Sequence, residues 1–434
     1  MSARGSIDTW FGVAASGSSV RREVVGGATT FVTMAYILFV NGVILSGAKL
    51  PADQVLTVTA LVAGVMTIAM GLVANYPFAL APGMGINAAV AGSLVATQGL
   101  TAPEAMGVIV AEGLAITLLV VAGVRERVLD AIPDSLRRAI GAGIGLFLAL
   151  IGLVNGGVVV PGKGTPLALG DVQSTGVIVF VVGLFVAFAL TVKRVRGALL
   201  IAIALATGLA FALGVAHAPV RWVASPDFGL VGAFSFGFVG KLGVLGAALA
   251  VFSLMLSDFF DTIGSAVGLG EEGGFLDAAG RLPRMKRVLV IDSLAAIAGG
   301  AVSSSSATTY IESAAGIAEG ARTGLASIVT GALFLVAMLL GPLAAVVPPQ
   351  ATASALVVVG FSMAGLLKDI DWRDAPEAVP AFLTAVVMPF TWSISNGIGA
   401  GVIAHAILMT VAGRRVHVLV WCVAAAFGVF FALG

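Results

Sequence analysis

Between residues 24 and 433 the chain runs repeatedly through about twenty mainly apolar residues at a time, the length that crosses a bilayer as a helix. Such stretches fall at 24–46, 54–74, 78–97, 103–124, 136–159, 173–191 and 198–215. A more polar interval, 216–242, separates them from a second set at 243–268, 286–303, 304–319, 321–342, 349–369, 376–411 and 416–433. Only 10% of the residues are charged, against about a quarter in a soluble domain. Lipid, not a soluble core, has to solvate this much apolar surface, so the bilayer is the first partner expected. The segment 1–23, with Arg4, Asp8, Arg21, Arg22 and Glu23, is too polar for a secretory signal, and the first apolar stretch is expected to remain as a span.

Seven stretches followed by seven describe an all-α polytopic membrane protein of about 14 transmembrane segments. An odd number of spans per half forces the halves into opposite orientations, the 7+7 inverted repeat of many secondary transporters. Pro133 is followed twelve residues later by Gly145-Leu146-Phe147, and Pro348 at the same spacing by Gly360-Phe361; each opens the fifth span of its half. The third span of each half looks short or broken. Interrupted segments in corresponding places are the best sequence pointer to a transporter's binding site. The stretch 376–411 is too long for one straight span and reads as a bent helix or a pair.

Basic residues give an orientation. With the N-terminus inside, the 23 Lys and Arg fall on the cytoplasmic side, Arg4, Arg125, Arg127, Lys368 and Arg373 among them, except Lys49, Lys163, Arg221, Lys241, Arg414 and Arg415. That bias favours a cytoplasmic N-terminus. Arg414 and Arg415, next to the over-long stretch, fit it badly. Helical spans without an organelle-targeting sequence point to the cell (inner) membrane.

The first broken stretch reads Ala81-Pro82-Gly83-Met84-Gly85-Ile86-Asn87. Pro lacks an N–H and Gly favours non-helical backbone, so a continuous helix is not expected. Irregular backbone in a membrane has to face protein or a water-filled cavity, where its freed polar groups can bind a ligand. A kinked helix packed on its neighbours is the plainer alternative. The second reads Ser303-Ser304-Ser305-Ser306-Ala307-Thr308-Thr309-Tyr310-Ile311-Glu312-Ser313. Small hydroxyl and β-branched residues favour extended chain, with a short helix beginning around Glu312 whose N-terminus offers free N–H groups. This strand can pair with one near 83–86, giving short antiparallel strands at the midplane. A Ser/Thr-rich helix contact is the alternative, less attractive because a lone carboxylate in lipid is costly.

The eighth span carries Asp258 and Asp261 within Leu254-Met255-Leu256-Ser257-Asp258-Phe259-Phe260-Asp261-Thr262-Ile263-Gly264. Three apart, they share roughly one helix face. Two acids with no cation beside them need partners, water or a proton, and groups of this kind load and release protons in coupled transport. Structural caps bonded to backbone are the alternative, more so for Asp258 than for Asp261. Asp292, Glu112 and Asn41 are read as ties between helices. His217, His405 and His417 lack metal-ligand spacing, and the single Cys422 excludes a disulfide within the chain or a cysteine-based metal cluster. No phosphate loop or nucleophile–base arrangement is present, so no enzyme, cofactor or metal is expected. A net charge of +1 gives no reason to expect a nucleic-acid partner.

These segments together resemble the AzgA-like purine nucleobase permeases, within the nucleobase–cation symporter and nucleobase–ascorbate transporter group. The resemblance rests on Thr30-Phe31-Val32-Thr33-Met34-Ala35-Tyr36-Ile37-Leu38, Ala81 to Asn87, Asp258 to Gly264, Thr308 to Ser313 and Pro380-Ala381-Phe382-Leu383-Thr384. It implies a uracil-permease-like fold, a core domain at 24–124 and 217–342, a gate domain at 125–216 and 343–434, an elevator movement and a homodimer. It implies substrate contacts from Asn87, Asp261 and Glu312, joined by the backbone of both broken segments. Gly42 after Asn41 departs from the family, which usually has Pro there, and bears on the local shape of the first span.

A purine offers N–H donors and ring-nitrogen or carbonyl acceptors, and charge-assisted bonds to a carboxylate are the stronger kind. Glu312 or Asp261 is expected to read one edge. Backbone around Gly83, Met84 and Gly85 and around Thr308, Thr309 and Tyr310 would read acceptors, with Phe260, Phe259 or Tyr310 stacking on the ring. Glu312, Asp261 and Asp258 are the candidates for the coupled proton. A same-fold carrier of uracil or xanthine, or an uncoupled channel or receptor, remains the alternative. An anion carrier would place positive charge where this chain places acids.

Overall fold

A computed structural model describes residues 10–433 apart from 124–131, 163, 220 and 279–280. Arg4, Asp8, Arg125, Arg127 and Lys163, and residues 1–9 of the N-terminal segment, lie outside the described residues. Helices begin where the sequence supplies caps. Ser19, Ser174, Thr323 and Ser393 each accept a first-turn N–H, and Thr101 with Glu104 forms a capping box.

The first half comprises α1 (Val20–Met34) and α2 (Ile37–Ser46), α3 (Ala52–Val73), strand β1 (Leu80–Pro82) with α4 (Met84–Ala88), and α5 (Ala102–Val121). It continues with α6 (Asp134–Asn155), a small β2–β3 hairpin (Val159–Val160, Ala168–Leu169), α7 (Thr175–Val192) and α8 (Ala198–Ala212). The second half comprises α9 (Phe238–Gly273), α10 (Met285–Ala301), β4 (Ala307–Thr309) with α11 (Ser313–Ala318), α12 (Gly324–Ala337), α13 (Pro349–Ala364), α14 (Ala375–Phe390), α15 (Ile394–Val411) and α16 (Val418–Leu433). Among the described residues, nine helices are long and apolar enough to cross a membrane and several shorter apolar ones accompany them. The protein is a multi-pass membrane protein.

The repeat shows in the packing. The second span lies on the eleventh (α3 on α12), and the fourth on the ninth (α5 on α10). The first lies on the eleventh (α1 on α12), and the eighth on the fourth (α9 on α5). Exchanging the halves turns each contact into its partner. The fifth and twelfth spans are mates, and they pack on each other. Pro133 and Pro348 are the N-caps of α6 and α13. Gly145 and Gly360, twelve residues into each, meet backbone to backbone: a Cβ on Gly360 would lie 2.4 Å from the Gly145 carbonyl. Small residues at a crossing of this kind let helices in a membrane approach closely.

Several sequence expectations shift. The first span breaks at Ala35–Tyr36, between α1 and α2, and Gly42 lies inside α2. The fifth ends at Asn155, short of 159, because Gly157 takes a left-handed φ of 76°. The eighth is longer than 243–268 and is interrupted at Gly243, φ 67°. The stretch 376–411 is a pair, α14 and α15, packed together and joined at Thr391–Ser393. Asp374 before α14 and Arg414 after α15 form an ion pair. Arg414 and Arg415 therefore share an end with Lys368 and Arg373, which corrects their assignment to the opposite side. Contacts of Ser18 with Gly320, Glu23 with Arg322, Tyr76 with Pro283, Arg196 with Glu319 and Arg138 with Asp369 gather at that same end.

Candidate functional site

The two broken spans meet in the middle of the fold as an antiparallel strand pair with Leu80 opposite Thr309, Ala81 opposite Thr308 and Pro82 opposite Ala307. The expected strand near 83–86 starts and ends earlier, because Gly83 is already the cap of α4 and the chain coils from Met84. The ladder extends beyond the strands: Tyr310 N–H donates to Ala79 O and Gly83 N–H to Ser306 O, each at 2.9 Å. Thr67 closes the outer edge by hydrogen bonding with the backbone of Leu80. Backbone that would be intolerable in lipid is thus satisfied inside protein.

Each hydroxyl on segment 306–309 meets an acid. Ser306 Oγ donates to Asp258 at 3.4 Å, Thr308 Oγ1 to Asp261 at 3.1 Å and Thr309 Oγ1 to Asp292 at 3.0 Å. Asp292 also accepts from Thr309 N–H at 3.0 Å and from Thr262 Oγ1 at 2.6 Å. It ties α9, α10 and β4 together, as read from the sequence. Asn41 has the same kind of role, donating to Thr59 at 2.6 Å and Ser304 O at 3.3 Å.

Asp261 and Glu312 come together and Asp258 stands behind them. Asp261 is exposed, Glu312 is half-buried and Asp258 is fully buried. Glu312 is the N-cap of α11 and accepts 2.7 Å from the hydroxyl of Tyr36, itself the N-cap of α2. Asp261, Glu312, Tyr36 and Tyr310 lie close enough to act on one another electrostatically. None of the ion pairs among the described residues reaches Asp261 or Glu312. Tyr36 is the residue that sequence reasoning passed over as a site member. Its signal was a phenol in the middle of an apolar span, which has to find a partner.

Other expected members are placed differently. Asn87 is fully buried, and its amide donates to Asn41 Oδ1 at 2.6 Å while its own Oδ1 has no partner among the described residues. Gly83, Thr309 and Tyr310 already use their N–H groups in the ladder or on Asp292. The first turn of α4, at Met84 and Gly85, holds N–H groups that lack a helical partner. Thr308 and Tyr310 are buried, the latter donating its hydroxyl to Pro82 O at 2.6 Å. Phe259 is fully buried in a separate cluster with Ile116 and Val120. Phe260 is half-buried and packs against that cluster and against the main core. Among the described residues, no three His, Cys, Asp or Glu side chains assemble as a metal ion would require.

On the opposite side of the third span, a π-helix over Ala89–Thr97 carries Gly92 and Ser93 against the α14–α15 turn. Ser93 and Ser393 hydroxyls are 3.1 Å apart. Trp392, held at φ 50°, stands edge-on to Phe147 with centroids 5.6 Å apart, and both rings close over Gly92.

A model of the Permease family (Xan_ur_permease) matches residues 21–400. The adenine permease AdeQ of Escherichia coli is 39% identical over 415 residues, which cover 94% of this chain and 92% of that one. The guanine/hypoxanthine permease PbuO of Bacillus subtilis is 38% identical over 411 residues, 93% and 95% of the two chains. The transmembrane domain of a cyanobacterium bicarbonate transporter, BicA, superposes with a TM-score of 0.66 at 17% identity, over 88% of this chain and 97% of that domain. The murine Slc26a9 anion transporter in the inward-facing state gives 0.65 at 13% identity, over 90% and 68%. At those identities the likeness to the two solved structures is one of fold.

Proposed function

Because this chain belongs to the Permease family, and its relatives over nearly the whole length are named permeases, we propose that it is a secondary active transporter importing purine nucleobases together with protons. The observation that carries the reading is the pair Asp261 and Glu312. Both are held by neutral hydroxyls and reached by no described cation. Such carboxylates suit a neutral, flat solute with N–H donors on its edge, and do not suit an anion.

In this reading Glu312 or Asp261 accepts the ring N–H of guanine or hypoxanthine. The N–H groups at Met84 and Gly85 meet an acceptor, Phe260 covers a ring face, and Asn87 holds the wall behind through Asn41. Gly83, Thr308, Thr309 and Tyr310 form the strand floor of the site. The coupled proton resides among Glu312, Asp261 and Asp258. Residues 24–124 and 217–342 form the moving core, and 125–216 and 343–434 form the gate. The core moves elevator fashion within a homodimer in the cell membrane, the N-terminus on the cytoplasmic side. Guanine and hypoxanthine suit unprotonated carboxylates best. Adenine is the second reading, favoured by the relatives named adenine permeases at 39% identity; it presents a bare ring nitrogen and needs one acid protonated.

The test is uptake of radiolabelled hypoxanthine, adenine and uracil by cells lacking their own nucleobase carriers, with and without a protonophore. Concentrative, protonophore-sensitive purine uptake that is lost in Glu312→Gln and Asp261→Asn supports the assignment. Well-folded protein without purine uptake overturns the substrate.

A further inference from the structure

Glu112 is the carboxyl that this cycle leaves unused. It lies midway along α5, fully buried, and neither oxygen has a hydrogen-bond donor among the described residues. Helix α5 packs on α10 and α9 and touches the third span. From α10 the charged group that acts on Glu112 is Asp292; on the broken tenth span the neighbour is the Ser306 side chain, whose hydroxyl also meets Asp258 of α9. The third-span segment Ala89–Thr97 carries no charged residue, and Lys286 and Arg287 stand in the first turn of α10, away from Asp292.

Asp292 has its charge matched by three donors, and Asp258 receives the hydrogen of Ser306. An ionised Glu112 would add a further negative charge in a dry place with no donor of its own, among the most costly groups a protein can hold. A serine hydroxyl has one hydrogen to give and lone pairs to receive. With its hydrogen on Asp258, Ser306 can still accept one from a Glu112 carboxylic acid. A single proton on Glu112 completes the set.

Ser306 and Thr308, two apart in extended chain, share a face, as do Asp258 and Asp261, three apart on a helix. They meet in order, Ser306 with Asp258 and Thr308 with Asp261, and Asp261 is the exposed one. We propose that Glu112 is a proton-holding residue of the transport cycle, exchanging its proton with Asp258 through the Ser306 hydroxyl and with solvent by way of Asp261. This rests on the proton-coupled reading above. A proton enters on Asp261, moves one turn deeper to Asp258, and is held on Glu112 while the core travels. Release reverses the order.

The experiment uses the purified full chain in proteoliposomes with radiolabelled hypoxanthine and adenine. One assay is exchange of internal for external label, and the other is accumulation driven by an imposed pH gradient. Glutamine mimics the neutral acid, so Glu112→Gln is expected to retain exchange and lose accumulation. Accumulation to the wild-type ratio in Glu112→Gln overturns the proposal. If that variant does not fold, Ser306→Ala decides, since it keeps both acids and removes only the hydroxyl between them. Retained exchange with lost accumulation supports the relay, and any other result overturns it. Wild-type protein that exchanges purine but never accumulates it counts against proton coupling itself, and not against Glu112 in particular.

Discussion

The hydroxyl of Tyr36 stands 2.7 Å from Oε1 of Glu312 and joins two helix N-caps that are 276 residues apart in sequence. One carboxylate oxygen is thereby fixed, and in the proposed site the other meets the purine. Tyr36→Phe keeps the ring and removes the donor. A hydrogen bond to a charged group contributes about 1.5–3 kcal/mol, so the KM for purine uptake is expected to rise about 10- to 100-fold at unchanged membrane abundance. Uptake kinetics normalised to quantified protein check it; an unaltered KM would show that the bond plays no part in binding.

Asp292 is a structural keystone more than a ligand contact. Asp292→Ala leaves the Thr309 N–H and the Thr262 and Thr309 hydroxyls without their acceptor. Each buried group left unsatisfied costs about 1–3 kcal/mol. A lower midpoint of thermal unfolding in detergent is expected, followed by intrinsic tryptophan fluorescence, with transport lost alongside. A midpoint equal to wild type contradicts the role.

The Gly145–Gly360 crossing has no room for a methyl group. A Cβ on Gly145 would lie 2.6 Å from Met363 Cβ and 2.7 Å from the Gly360 carbonyl. Gly145→Ala is expected to destabilise by about 1–3 kcal/mol through overpacking. Gly264→Ala, with nothing within 4 Å of the added carbon, is expected to unfold like wild type. Because Gly264 is exposed one turn beyond Asp261, any defect it causes should appear in uptake and not in thermal stability.

Ser93 and Ser393 touch across the third span and the α14–α15 turn, between the segments assigned above to core and gate. In a Cys422→Ser background, which removes the one native thiol, Ser93→Cys with Ser393→Cys is expected to form a disulfide on oxidation. Transport should stop and then return on reduction. Undiminished transport by the cross-linked protein, its cross-linking confirmed by mass spectrometry, would mean that this contact never opens.

Much of the fold was legible because membrane spans are written in length and apolarity, which need no tertiary context. The two broken spans were legible because Pro82, Gly83 and Gly85 forbid what their neighbours would otherwise form. The ties at Asp292 and Asn41 could be read because a polar group in lipid must find a partner. The partners themselves were not legible. That Tyr36 reaches Glu312, and that Asn87 turns to Asn41, depend on which spans become neighbours. Between a bent helix and a pair within 376–411 the sequence left the choice open, because Thr391-Trp392-Ser393 is short and Trp392 gives no turn signal although it adopts a left-handed φ. The open N–H groups moved from the strands to Met84 and Gly85 because strand pairing consumed the rest.

The β1–β4 pairing also sets a clock for biogenesis. Pro82 meets its partner Ala307 225 residues later in the chain. At about 5–20 residues synthesised per second, the first broken span waits roughly 10–45 s before the strand that satisfies its backbone leaves the ribosome. During that interval its unpaired polar groups need water, a chaperone or the insertion machinery. Translational pausing or early release between the two halves should therefore harm this protein more than one whose spans are all continuous helices.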